Sequence, residues 1–471
     1  MAHISRRNIL RGSAALGFTS ATGLLSTMNA AQAATTSGYK ALVCVFLKGG
    51  FDGTDMIVPR DAASHAALAS AREDLFARYD ADSPDSSRNR DNLLRLPTER
   101  NFGGRQFGMP SELKPFHDLY KAGKLAVMGN VGPLVMPTTR DQMAKRSVEL
   151  PARLFSHNDQ QATWMSMGLE GRRFGWGGQF ADRVAPAAGA ARTFASITAA
   201  APDIWLRGAR TRQYPGSKNG PVRLRYAEDV YPIGQGRDEA RRILAEHYAS
   251  KGRTSDNVFM RDLIAGNQRT QANNALFRDA IAKATAFATP FPSSKIGKQL
   301  ATIAATISVR ASFSASRQVF YASVGGFDTH AAQDQNMPKR MGDVANAVKA
   351  FNDAMEEIGL GEMVTLFTAS DFGRTIIGNG DGTDHGWGNH HIVAGGAVKG
   401  GEIYGDIPPM DFGLAQYTET RGRMIPTTSV DQYAASLGKW FGLDGAELRD
   451  ALPNLGNFAS IPDLFGQGAT V

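Results

Sequence analysis

Residues 39–47, YKALVCVFL, form an unbroken apolar run, β-rich from Val43 to Phe46, that stops at Lys48-Gly49-Gly50. A run that does not alternate predicts a strand buried on both faces, the habit of parallel sheets. Similar runs occur at 125–128, 319–324, 363–368 and 392–393. Helical patterns lie between them. Over 341–360, Val344, Val348, Phe351 and Met355 recur at three- to four-residue spacing, and Gly361 follows as a C-cap. Residues 298–311 predict another helix, and Ser429 caps one whose apolar face carries Tyr433, Leu437 and Phe441. Strands alternating with helices predict an α/β fold, a mostly parallel sheet with helices on both faces.

Two stretches read as insertions into this core: residues 61–105, rich in Asp, Arg, Ser and Asn and expected to be solvated, and residues 202–253, charged and broken by Gly and Pro. The first 33 residues have a different character. Ser5-Arg6-Arg7-Asn8-Ile9-Leu10 precedes a small, weakly apolar run, and Ala31-Gln32-Ala33 supplies the small residues of a cleavage site. The arginine pair predicts a twin-arginine signal peptide over 1–33, export in the folded state, and a periplasmic or secreted protein with the twin-arginine machinery as a partner. No later stretch is apolar for long enough to predict a transmembrane segment. The expected organisation is therefore this signal followed by one α/β domain over 39–465 with insertions near 61–105 and 202–253.

Composition narrows the chemistry. The one cysteine, Cys44, excludes an intrachain disulfide and a thiolate zinc cluster, so any metal must be held by His and carboxylates. The formal charge of +7 includes Arg6, Arg7 and Arg11 of the signal. The remainder is scattered, with no basic stripe, which argues against nucleic acid. In open α/β sheets ligands bind beyond the carboxyl ends of the strands. There the sequence places Gly49-Gly50-Phe51-Asp52, then Gly325-Gly326-Phe327-Asp328-Thr329-His330, then Ser370-Asp371-Phe372-Gly373-Arg374. Close behind come His385, His390 and His391; the last two are adjacent, so at most one of them faces a given site. Acids and imidazoles gathered at strand ends suit one or two divalent ions, zinc or Mn/Mg/Ca. In Leu154-Phe155-Ser156-His157-Asn158-Asp159-Gln160-Gln161, Ser156 reads as an N-cap with Asp159 completing an approximate capping box. His157 and Gln161, one turn apart, are placed to share a cleft.

The motifs FLKGGFDGTDMIVP, LFSHNDQQATW, GGFDTH, TASDFGRT, GTDHGWGNHHIVAGG and TSVDQYAASLGKWFG together resemble a family of twin-arginine-exported bacterial proteins of unknown function, the fifteen-oh-one family. That family in turn is similar to the alkaline phosphatase and sulfatase superfamily. The resemblance implies an alkaline-phosphatase-like fold with metal ligands at Asp52, Asp328, His330, Asp371 and His385, and Ser156 where a nucleophilic hydroxyl stands. The chain departs from that pattern at two points. Asp328 and His330 are two residues apart rather than four, and Phe372 replaces a coordinating residue, so a second ion would lose a ligand or recruit another, such as His157 or His390. The aldehyde-forming sulfatase mechanism is excluded, because Cys44 lies inside the first strand.

The sequence thus predicts an exported metal-dependent hydrolase of phosphate or related esters, acting on a small-molecule or polymeric anionic ester. Ser156 is the expected nucleophile, Arg374 a clamp for anionic oxygens, and His157 the third member of the catalytic set. The alternative is an exported, non-catalytic binding or assembly protein that keeps the fold.

Overall fold

The computed structural model describes residues 38–185, 189–216, 257–418 and 421–468, together with residues 242, 243, 246, 250 and 470. The expected signal over 1–33 and most of the expected insertion over 202–253 lie outside the described residues.

Among the described residues, nine strands form the main sheet: β1 (Lys40–Lys48), β2 (Leu125–Gly132), β3 (Ser196–Thr198), β4 (Tyr214–Pro215), β5 (Arg317–Gly325), β6 (Val364–Ser370), β7 (Asn389–Ala394), β8 (Ile403–Gly405) and β9 (Thr428–Ser429). Their order is β8-β2-β7-β6-β1-β5-β3-β4, with β9 also paired to β2. β1 pairs in parallel with β5 and β6, whereas β7 runs antiparallel to β2 and β6. The sheet is therefore mostly parallel, as its unbroken apolar runs predict, and the central β1 is covered on both faces. Leu42, Cys44 and Phe46 pack with Trp164 and with Tyr433 and Leu437. Trp164 belongs to α2 (His157–Ser166), and the other two to α5 (Val430–Phe441), which starts on a Ser429–Gln432 capping box. On the opposite face, Val348, Phe351 and Met355 of α4 (Gln333–Glu357) meet Val364 and Leu366 of β6. α3 (Lys295–Ser308) lies against β5. α4 begins well before the apolar periodicity and carries Pro338 inside it.

Residues 61–105 are not merely solvated. They contribute α1 (Glu73–Asp82), which buries Leu75, Phe76 and Tyr79, and they carry two fully buried arginines, Arg72 and Arg88. Strands Val58–Pro59, Leu94–Leu96 and Phe107–Met109 form a small antiparallel sheet beside α1. The Asp and Arg that read as a solvated surface are in part buried partners: Arg88 pairs with Asp55 and Glu112 at 2.8 and 2.9 Å. No helix among the described residues is long and apolar enough to cross a membrane.

Candidate metal centre

The β1 end shows how the site is built. Gly49 and Gly50 adopt φ of +117° and +72°, the left-handed region that favours glycine. This turn aims the Gly49 N–H at Asp371 Oδ1, 3.2 Å away, just past β6. The other oxygen of Asp371 faces α2, where it meets His157 Nδ1 at 2.6 Å and Gln161 Nε2 at 2.9 Å. The one-turn spacing of His157 and Gln161 thus brings both onto a single acceptor.

Beyond β5, Asp328 is the hub. Its Oδ1 accepts from Arg374 Nη1 at 2.9 Å and lies 3.1 Å from His330 Nε2 and 3.3 Å from His385 Nε2. Its Oδ2 lies 3.4 Å from His157 Nε2. One ligand atom from each of His157, Asp328 and His385 falls within 4.8 Å of the other two, and His330 Nε2 sits 2.9 Å from His385 Nε2. Each imidazole is tethered through its other nitrogen: His157 Nδ1 to Asp371, His330 Nδ1 to Asp384 Oδ1 at 3.2 Å, and His385 Nδ1 to the Phe155 carbonyl at 2.9 Å. A carbonyl only accepts, so the His385 proton is on Nδ1 and its Nε2 presents a lone pair. The shorter contact with Asp371 favours the same assignment for His157, whereas the two nitrogens of His330 face Asp384 and Asp328 at nearly equal distances. The Nε2 atoms of His157 and His385 and the Asp328 carboxylate thus form one compact group, with His330 at its edge against His385. Tethers of this kind orient metal-binding imidazoles.

The surroundings hold the cluster rigid. The Phe372 ring, which cannot coordinate, packs against His157 and His385 at centroid distances of 4.8 and 4.5 Å and forms a floor for both. Phe155 holds φ of +72°, a strained value for a bulky residue, at the position whose carbonyl fixes His385. The Arg423 guanidinium lies 4.3 Å over the Phe155 ring and donates from Nε to the His385 carbonyl at 2.7 Å. The hydrogen bond that His157 donates to Asp371 raises the His157 pKa against the effect of burial, whereas burial lowers that of His385. Burial works against the Asp328 charge, but the Arg374 hydrogen bond and charge, with His330 and His157, outweigh it and hold this carboxyl below its ordinary range. Asp328 and His330 are exposed, so the cluster opens to solvent.

The remaining residues of the expected set are placed otherwise. Asp52 is fully buried and neutralised. Arg72 reaches both its oxygens at 2.8 and 3.3 Å, and Gln333 Nε2 adds a bond at 2.8 Å, so this carboxylate needs no cation. Asp371 acts through His157 and Gln161. Arg374 is buried and tied to Thr383, with Nη2 donating to its carbonyl at 2.5 Å, so it holds Asp328 rather than reaching into solvent. Ser156 occupies the N-cap position, but its hydroxyl donates to Asp159 Oδ2 at 2.9 Å and the capping box does not form. His390 and His391 are both fully buried outside the cluster, with pKa values lowered by burial to about 3. Residues not singled out from sequence are Asp384, adjacent to His385, and Arg72, Gln333 and Phe155. Only Asp384 carried a local signal, an acid beside a histidine.

An α/β chain with an imidazole–carboxylate cluster beyond the ends of its central strands is the class that fold and site define. The chain belongs to the family described as Protein of unknown function (DUF1501), whose model matches residues 39–452. No curated protein matches it. Among solved structures, that of Ps i-CgsB in complex with k-i-k-neocarrahexaose is similar at a TM-score of 0.31 and 8% identity, covering 87% of this chain and 74% of that one.

Proposed function

We propose that the protein is a metal-dependent hydrolase of phosphate or related anionic esters that holds one divalent ion between His157, His330, His385 and Asp328. One observation carries the reading: three imidazoles, each anchored through Nδ1, turn Nε2 toward a single carboxylate. With no cation present, the His385 Nε2 lone pair faces an Asp328 carboxylate oxygen across 3.3 Å. A divalent ion between them would give both a partner. Three imidazoles and one carboxylate suit zinc or another transition ion better than Mg2+ or Ca2+. When bound, such an ion polarises an ester oxygen and lowers the pKa of a water. The chain's own part is to orient the ligands: Asp371 and the Phe155 carbonyl hold the protons of His157 and His385 on Nδ1, Asp384 faces His330, and Arg374 steadies Asp328. Ser156 enters as nucleophile only if its hydroxyl leaves Asp159. The same proposal includes export of the folded chain through the signal at 1–33 and kinship of the sheet with alkaline phosphatases.

The test is metal content after purification, together with turnover of chromogenic phosphate mono- and diesters with metal restored. About one ion per chain, lost in Asp328→Ala and His385→Ala, and turnover dependent on it are expected. Full stability of the chain with no metal affinity would refute the reading. The non-catalytic alternative draws on one observation, the closure of Asp52 by Arg72, which removes a first-strand ligand for a second ion. Bound metal with no turnover across a broad ester panel would favour it.

A further inference from the structure

A cavity of about 270 Å3 lies against α2. It adjoins the imidazole cluster through one side chain: Gln161 lines the cavity, and its Nε2 donates to Asp371, the tether of His157. The volume falls just below the ~300–1,000 Å3 of sites for drug-sized ligands, so it suits a group of about one ring. Met165 and Ile204 make part of its lining apolar, and Asn158, Glu170, Arg172 and Asp203 supply polar groups. Among the described residues, nothing hydrogen-bonds to the side chains of Asn158, Glu170 or Arg172, or to Oε1 of Gln161. The Arg172 stem is seated against Gly168, where a Cβ would overlap its Nε and Cγ. The charges around the cavity balance. Burial raises the Asp203 pKa, but the Trp205 N–H, 2.9 Å from Oδ1, and the charge of Lys48 work against it. Glu170 is matched by Arg172 in the same lining. A site with no charge left over recruits neither an anion nor a cation.

We propose that this cavity receives the alcohol half of the ester, and that the alcohol is an uncharged, polyhydroxylated ring the size of one sugar. The inference rests on the hydrolase reading and deepens it by naming the leaving group. Asn158 and Arg172 donate to hydroxyl oxygens, Gln161 Oε1 and Glu170 accept from hydroxyl protons, and Met165 and Ile204 meet ring C–H groups. A ring carrying several hydroxyls satisfies these groups together. An aryl or alkyl alcohol of the same size displaces their water and returns no hydrogen bond, which is the discrimination a polar site makes best.

Saturation-transfer NMR on chelated full-length protein tests the cavity without metal or turnover. The probes are glucose, galactose and mannose, with glucosamine, glucuronate and cyclohexanol as charged and apolar counterparts. At least one neutral hexose should bind, and the three counterparts should bind about fivefold or more weakly. Asn158→Ala and Arg172→Gln, both at exposed positions where folding is not at risk, should each weaken hexose binding by about fivefold or more. Ala162→Leu, which narrows the cavity, should abolish it. With metal restored, the ratio of kcat/KM for the phosphate ester of the bound hexose to that for phenyl phosphate should fall about fivefold or more in Arg172→Gln. Absence of any hexose signal, a signal unchanged in both exposed variants, or cyclohexanol binding as tightly as the hexoses would overturn the proposal. Metal-dependent turnover of phenyl phosphate with no hexose binding would strike this inference alone. Hexose binding in a chain with no metal affinity and no ester turnover would refute the hydrolase reading, and with it the role of the cavity as a leaving-group site.

Discussion

Gly50→Ala is the perturbation that best separates backbone geometry from site chemistry. Gly50 holds φ of +72°, and a Cβ built there would overlap Cε2 and Cδ2 of the buried Phe372 ring. The left-handed conformation costs an L-residue about 1–2 kcal/mol. Forcing the ring aside in a packed core costs about 1–3 kcal/mol more. Together these predict a loss of about 2–5 kcal/mol, a large share of the ~5–15 kcal/mol by which domains are stable. The ring has few ways to yield, because His157 and His385 both pack against it. Gly103 supplies the control: its φ is +68°, yet a Cβ there meets nothing within 4 Å. Gly103→Ala should therefore show the conformational cost alone. Urea unfolding of both variants, with metal retention measured after dialysis, reads the difference. Gly50→Ala should lose more stability and release metal, Gly103→Ala should keep its metal, and adding Phe372→Leu to Gly50→Ala should recover part of the stability. Equal losses in the two alanine variants, with metal retained in both, would show that the Phe372 floor does not position the imidazoles.

Arg72→Met should cost about 3–5 kcal/mol in urea unfolding, since it leaves the buried Asp52 carboxylate without its cation. His390 and His391, both neutral and buried with pKa values of about 3, take up protons on unfolding from pH 6.5 downward, so their contribution is full above 6.5 and is lost as pH falls toward 3. At pH 5 this amounts to about 2 kcal/mol for each ring, and His391→Phe should flatten the decline in midpoint between pH 7.5 and 5. Asp431 acts with the opposite sign: burial raises its pKa from 3.8 to about 6, so its contribution is full below 3.8 and is lost as pH rises through 6. Asp431→Asn should stabilise the chain at pH 7.5 by up to about 3 kcal/mol and leave it unchanged near pH 3.5.

The sheet was legible because a strand covered on both faces carries its burial in its own residues. β1, β5 and β6 each occur where an apolar run ends at a glycine or an acid. Part of the cluster was legible for a similar reason: strand ends are where a parallel sheet opens, and Asp328, His330 and His385 all follow strands or lie in short ones. Asp52 shows where that logic stops. Its sequence context matches that of Asp328, Gly-Gly-Phe-Asp in both, yet one carboxylate meets Arg72 and the other three imidazoles. The difference comes from residues 61–105, whose arginines give no local sign of whether they face water or a buried acid. The insertion therefore chooses which of two equivalent strand-end acids stays open to a ligand.

That choice bears on how many ions the proposed site would hold. An arginine on Asp52 is a permanent charge that no change of metal supply removes, so the first-strand acid is committed on folding. Asp328 also meets an arginine, but Arg374 reaches Oδ1 while Oδ2 is left to His157. One guanidinium tether and one free oxygen orient a carboxylate without saturating it, as a ligand to a single ion requires. The reversed arrangement, an open Asp52 and a saturated Asp328, would leave the free carboxylate with Gln333 Nε2 and the Asp55 N–H as its hydrogen-bond partners, and the imidazoles would face no open acid. The fold thus concentrates its coordinating power at one point. A second equivalent of tightly held transition metal, retained through dialysis and lost in Asp52→Asn, is the result this arrangement forbids.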